Sequence, residues 1–407
     1  MTIENKLKKR NNVSVGVIGS GLMGHGIAYA AALSGFEVLM LDLTKKKAKE
    51  GLEKIYQILE KSLEKGFITK AEMDDTKSQI KISTDYETLA SKNIIIEAIY
   101  EDLKIKTKVL KIAERFLKPN GFIASNTSTI PISVLASKLR NNENFIGLHF
   151  FSPVHKMKLV EVIKGKKTNY NTLKTALNFT QNINKTPIIV NDNPGFYTTR
   201  VFVKYPCEGM VMLSEGIKAT SIENAGKRAG YPVGPLALSD EVNIDLIGRI
   251  RKQILKYDKS SYVGPWDRVI EKMVLKFNRK GRSGYGGFYQ YPKGKKKYIW
   301  EKLEKYFPIS VNQIPEKDII DRLIFAQVIE AVYCYEKNII TSARDANIGS
   351  MLGLGFPKSS GGVLEYVNNY GIQKFNVRCL ELADNYGKQF IPPKLLSQMA
   401  KANTTFN

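Results

Sequence analysis

Cysteine is scarce in this 407-residue chain, and the three present (Cys207, Cys334 and Cys379) are scattered without metal-ligand spacing. An odd, dispersed set excludes a disulfide framework and points to a reduced, cytoplasmic setting. Acidic residues are also few: 39 Asp and Glu face 62 Lys and Arg, a formal net charge of +23. No aromatic–basic interleaving or base-reading motif accompanies the excess, so nucleic acid is not an expected partner. The lysines are spread along the chain, which reads as a solvated surface or as a field that gathers polyanionic ligands. Long apolar runs are missing too. The stretch over 93–100 is short and carries Glu97, and residues 1–12 are polar and Lys-rich, so neither a transmembrane segment nor a secretory leader is expected. Hydrophobic residues still make up 43% of the chain, enough for packed cores, and the length predicts two or three domains.

What is present begins with an apolar, β-branched run over 13–18 that reads as a buried parallel strand. It leads into Gly19-Ser20-Gly21-Leu22-Met23-Gly24, then an Ala-rich helical stretch over 27–33 and a second strand over 36–41 that ends at Asp42. This β-α-β context gives the glycines meaning as a dinucleotide-binding turn. Gly19 permits the tight turn, Gly21 a close approach of the pyrophosphate, and Gly24 close helix–strand packing. Leu22 and Met23 complete the phosphate-facing backbone at the helix N-terminus. Asp42 is placed to accept from an adenosine ribose, which favours NAD as the cofactor. Further strands over 81–83, 93–99, 122–124 and 145–148, with helices over 45–65 and 103–116 among them, predict an open, mostly parallel sheet with helices on both faces. Ligands bind such sheets at the carboxyl ends of the strands.

Only three histidines occur, His25, His149 and His155. His25 sits inside the dinucleotide turn and is expected to pack beside the cofactor. His149 ends the strand over 145–148, where a substrate would meet the nicotinamide. Alcohol oxidation needs a group that takes the hydroxyl proton as hydride leaves carbon, and imidazole titrates near neutrality. Glu161, on the strand-like run over 159–163, is the carboxylate that would support the imidazolium.

The segment Gly147-Leu148-His149-Phe150-Phe151-Ser152-Pro153, followed by Met157-Lys158-Leu159-Val160-Glu161, closely resembles the signature of the 3-hydroxyacyl-CoA dehydrogenases. Ser125-Asn126-Thr127-Ser128, Asp192-Asn193-Pro194-Gly195-Phe196, Gly230-Tyr231-Pro232-Val233-Gly234-Pro235 and the motif from Gly281 to Tyr289 resemble further segments of that family, in the same order. The resemblance implies NAD-dependent oxidation of a 3-hydroxyacyl-CoA in fatty-acid β-oxidation. It implies His149 as general base, Glu161 as its orienting carboxylate and Ser128 as hydrogen-bond donor to the substrate 3-oxygen. Glu101, Lys106 and Asn126 are implied on the cofactor side. Two positions depart from the family. Thr199 stands where asparagine is common, and its hydroxyl donates with shorter reach. Asn243 stands where glycine is usual.

Beyond Tyr291 the helical segment is written again. Arg200, Glu208, Thr220-Ser221 and Gly230-Tyr231-Pro232 are echoed by Arg322, Glu330, Thr341-Ser342 and Gly355-Phe356-Pro357. Internal duplication predicts a Rossmann-type α/β domain over 1–192 and two all-α domains over 193–297 and 298–407. This tail resembles the dehydrogenase half of the multifunctional fatty-acid oxidation enzymes (the trifunctional enzyme alpha subunit). Their hydratase domain is not expected here, so hydratase and thiolase partners would be separate chains. The second helical copy is expected to supply packing that short family members obtain by dimerising, which predicts a monomer. The competing expectations are a dehydrogenase of another hydroxy acid and a non-catalytic NAD-binding subunit of an oxidation complex.

Overall fold

A computed structural model describes residues 13–90, 92–258, 264–284 and 286–407. The Lys-rich segment over 1–12 and Tyr285 of the Gly281–Tyr289 motif lie outside the described residues. The chain divides into two compact units, Met1–Asn193 and Pro194–Asn407.

The first unit is built on an eight-stranded sheet of order β3-β2-β1-β4-β5-β6-β7-β8. In chain order its elements are β1 (Ser14–Ile18), α1 (Gly24–Leu33), β2 (Glu37–Leu41), α2 (Lys45–Glu64), α3 (Lys70–Ser78), β3 (Ile80–Ser83), β4 (Lys92–Glu97) and α4 (Leu103–Ala113). Then come β5 (Leu117–Ser125), α5 (Ile132–Ala136), β6 (Phe145–Phe150), β7 (Leu159–Lys164), α6 (Tyr170–Asn182) and β8 (Thr186–Asn191). Every pairing is parallel except β6 with β7. Strands β1, β4 and β6 bury consecutive residues such as Ile94, Ile95 and Ile96, so both faces of the sheet are covered. The helix expected over 103–116 closes earlier as an α-helix, at Ala113, and tightens into a 3₁₀ turn over Glu114–Phe116. β8 begins Thr-Pro and alternates buried with more exposed positions, a pattern suited to the edge place it takes.

The second unit is helical. Its elements are α7 (Thr198–Ser214), α8 (Ala219–Arg228), α9 (Pro235–Val242), α10 (Ile244–Tyr257), α11 (Trp266–Glu271), the short strand pair β9 (Tyr289–Gln290) and β10 (Tyr298–Ile299), and α12 (Leu303–Tyr306). Next come α13 (Glu316–Glu336), α14 (Ala343–Gly353), α15 (Val363–Tyr370), α16 (Ile372–Tyr386) and α17 (Lys394–Ala402). Helices α7 and α13 exchange ion pairs reciprocally. Arg200 Nε meets Glu330 Oε1 at 2.8 Å, and Arg322 Nη2 meets Glu208 Oε1 at 2.6 Å. In each helix the glutamate follows the arginine by eight residues. The two Gly-aromatic-Pro turns also face one another: Tyr231 meets the Phe356 ring edge-on at 5.9 Å, Gly230 abuts Pro357, and Gly355 abuts Pro232. Among the described residues no helix is long and apolar enough to cross a membrane, and all three cysteines are buried thiols.

Candidate active site

The parallel register brings the ends of β1, β4 and β5 into one row, stitched by backbone bonds. Gly19 N donates to Leu41 O, Ala98 N to Ile18 O and Asn126 N to Glu97 O, each at 2.8 Å. At the first of these ends the chain turns through Gly19, with φ of 100°. A Cβ at Gly24 would lie 1.7 Å from Gly19 O, so helix and turn touch backbone to backbone there. A Cβ at Gly21 would instead meet open space, as a phosphate-cradling position requires. Leu22 is exposed and Met23 half-buried at the same helix N-terminus. A cleft of about 530 Å³ opens beside the turn, lined among others by Asp42, Lys47, Lys54 and Tyr86. Burial pushes the Asp42 carboxyl upward, but hydrogen bonds from Ser20 Oγ, Ser20 N and Leu43 N outweigh it and hold the group below its ordinary value. A carboxylate kept ionised here accepts from ribose hydroxyls and disfavours a phosphate in their place. The residues present therefore fit NAD. His25 Nδ1 lies 2.6 Å from Gly21 O, which ties the histidine to the turn, and burial holds its pKa below the ordinary value.

The ends of β4 and β5 carry a buried polar network. Glu97, fully enclosed, accepts from Lys106 Nζ at 2.7 Å, Ser125 Oγ at 2.6 Å and Ile99 N at 2.7 Å. Lys106 also lies 3.3 Å from Glu101 Oε2. Glu101 Oε1 in turn accepts from Thr127 Oγ1 at 2.6 Å, Ser128 N at 3.1 Å and Thr129 Oγ1 at 3.0 Å. Burial raises the Glu101 pKa, yet Lys106 and these hydroxyl donors prevail and keep it low. Of the residues expected on the cofactor side, Lys106 is almost wholly enclosed whereas the Glu101 side chain keeps 33% of its surface exposed. Ser128 is half-buried on the loop that Glu101 holds.

His149 and Glu161 are direct cross-strand partners in the antiparallel β6–β7 ladder. His149 Nδ1 stands 2.6 Å from Glu161 Oε2, with Glu161 fully buried and His149 8% exposed. A carboxylate at Nδ1 fixes the proton there and makes Nε2 the basic nitrogen. Asn126 Oδ1 accepts from Phe150 N at 2.8 Å, which couples the serine segment to the end of the histidine strand. The loop after β6 is tied down by Lys185, whose Nζ donates to Val154 O and Met157 O; burial lowers this amine to about 8. The first unit thus gathers Ser128, Asn126, His149 and Glu161 at neighbouring strand ends. Thr199 belongs to the second unit, in the first turn of α7. Glu97, Ser125 and Thr127 fall in the strand-end segments where ligands are expected, without a role assigned from sequence, whereas Thr129 and Lys185 carry no such signal. The signal for Glu97 was an ionisable residue closing an otherwise apolar strand.

The 3-hydroxyacyl-CoA dehydrogenase NAD binding domain matches residues 14–193, and the C-terminal domain of the same family matches residues 195–291. The fatty acid oxidation complex subunit alpha of Pseudomonas aeruginosa is 35% identical over 419 residues, covering 99% of this chain and 58% of that protein. This chain therefore spans about three-fifths of the length of the curated relatives it matches. A solved (S)-3-hydroxybutyryl-CoA dehydrogenase from Ralstonia eutropha aligns with TM-score 0.65 at 33% identity, over 69% of this chain and 99% of that one. The 3-hydroxybutyryl-CoA dehydrogenase of Escherichia coli K12 shares the fold over 97% of this chain and 99% of its own, with TM-score 0.84 at 24% identity.

Proposed function

The chain belongs to the 3-hydroxyacyl-CoA dehydrogenase family, and from that premise we propose that it oxidises (S)-3-hydroxyacyl-CoA to 3-ketoacyl-CoA with NAD, His149 serving as general base. The observation that carries this reading is the 2.6 Å contact between His149 Nδ1 and the buried Glu161 carboxylate, at the same carboxyl edge of the sheet as the dinucleotide turn. Bound NAD supplies the acceptor for the hydride that leaves C3. His149 Nε2 takes the hydroxyl proton, and Glu161 holds the tautomer and stabilises the imidazolium that forms. Ser128 Oγ donates to the 3-oxygen, and Asn126 holds the end of β6. Gly19, Gly21, Leu22, Met23 and Gly24 cradle the pyrophosphate, while Asp42 receives the adenosine ribose. Glu101 faces the nicotinamide-side ribose, and Lys106 is a positioning residue that acts through it. Thr199, in the first turn of α7, stands in place of the family's usual asparagine.

The reading extends to the helical unit as two copies, 193–297 and 298–407, related by duplication. The reciprocal Arg200–Glu330 and Arg322–Glu208 pairs and the facing Gly-aromatic-Pro turns support this. The relatives named as fatty acid oxidation complex subunits support fatty-acid oxidation as the setting.

Consumption of NADH with 3-ketoacyl-CoA substrates of short and long chain tests the proposal. His149→Ala is expected to lower kcat at least about a hundredfold, the lower range of general-base catalysis. Equal turnover in the variant would overturn the assignment of the base. Absence of turnover in the wild type, despite NADH binding, would overturn the dehydrogenase reading.

A further inference from the structure

The helical unit holds a cavity of about 280 Å³ walled by α7, α10, α11 and α13. That size lies near the lower edge of small-molecule pockets, which run from roughly 300 to 1,000 Å³. Its wall combines apolar side chains (Ile247, Ile254, Trp266 and Ile329) with the cations Arg251 and Lys388. Arg251 is the unusual member. Its Nε and Nη2 are buried, and among the described residues no protein acceptor lies within hydrogen-bond distance of either. The Asp267 carboxylate stands 3.8 Å from Nε, beyond that distance, and the guanidinium lies 5.6 Å from the Trp266 ring centre. Arg378 in the same unit is the contrast, because Asp318, Asp321 and Glu381 all accept from it. Two other cations of the wall, Arg200 and Lys204, are already committed to Glu330.

Buried guanidinium donors are ordinarily matched by acceptors, and a planar fork suits a carboxylate best. We propose that this cavity binds an amphiphilic monocarboxylate, its carboxylate on Arg251 and its apolar body against Trp266 and the isoleucines. Glu208, Asp258 and Glu330 also line the wall, so a single negative charge is accepted more readily than a phosphate dianion. The residues that line the site all belong to the helical unit.

The chain has two tryptophans, so Trp300→Phe leaves Trp266 as the reporter. Titration of that full-length variant with octanoate is expected to give a saturable change in Trp266 emission and a higher melting temperature. Adding Arg251→Met is expected to weaken binding at least tenfold, with Arg251→Lys intermediate, and octan-1-ol is expected to bind at least tenfold more weakly than octanoate. Melting of the unliganded variants reports whether each is folded, and Arg251→Lys carries the test if the methionine variant is not. No saturable change at millimolar octanoate would overturn the proposal. So would equal affinity in a folded Arg251 variant, or octanol binding as well as octanoate.

Discussion

Asn243 enters α10 with φ of 80°, backbone that costs a residue bearing a Cβ on the order of 1–3 kcal/mol. A glycine, which lacks a Cβ, would avoid that cost. Here the asparagine offsets part of the cost, because its Oδ1 accepts from Asp245 N at 2.9 Å and its Nδ2 donates to Ser283 Oγ. Asn243→Ala keeps the strain and loses both bonds, so chemical denaturation should find it less stable by about 1–3 kcal/mol. Asn243→Gly should stay within about 1 kcal/mol of the wild type, since relief of strain balances loss of the cap. An alanine variant as stable as the glycine one would refute this account. At this scale the sequence was legible where chemistry is scarce. With three histidines in the chain, His149 stood out, and the strand pattern placed Glu161 on a neighbouring run. The Glu97–Lys106–Glu101 chain was not legible. Its members serve the site by holding one another, and such pairings leave no local periodicity.

Among the elements, α9 and the segment leading into β9 are joined through one buried carboxyl. Asp240 accepts from Phe288 N and Tyr289 N, each at 2.8 Å, and from Tyr291 Oη at 3.1 Å. Burial pushes this carboxyl up from 3.8 to about 6, although those donors pull the other way. The folded state therefore binds the proton more tightly than the unfolded chain does. The stability this contributes is fully present below about pH 4 and is lost as pH rises through about 6. Between those limits the melting temperature of Asp240→Asn should fall less steeply with pH than that of the wild type. Parallel profiles would contradict the assignment. The parallel strands at the front of the sheet were readable because both faces are buried, which writes continuous apolar runs into the sequence. β8 lacks such a run because it lies at the edge. The cap on α5 was hidden for another reason: Asp192 accepts from Ile132 N and Ser133 N across about sixty positions of chain.

For the whole molecule, the proposed duplication carries a consequence for assembly. If the second helical copy covers the surface of the first, gel filtration with light scattering should give the monomer mass near 45.8 kDa. A stable dimer lost on substitution in α7 or α13 would contradict it. The reciprocal ion pairs also set a rule for divergence. Arg200, Glu208, Arg322 and Glu330 each answer to a residue in the other helix, so a change at one must be matched across the seam. Positions that do not cross the seam carry no such obligation. Lys204, four residues after Arg200, joins the seam through Glu330 at 3.0 Å, whereas Ala326, at the same step after Arg322, carries no charge. If the two halves arose by duplication, the Arg251 cavity stands across their joint, lined by α7, α10 and α11 from one half and by α13 from the other.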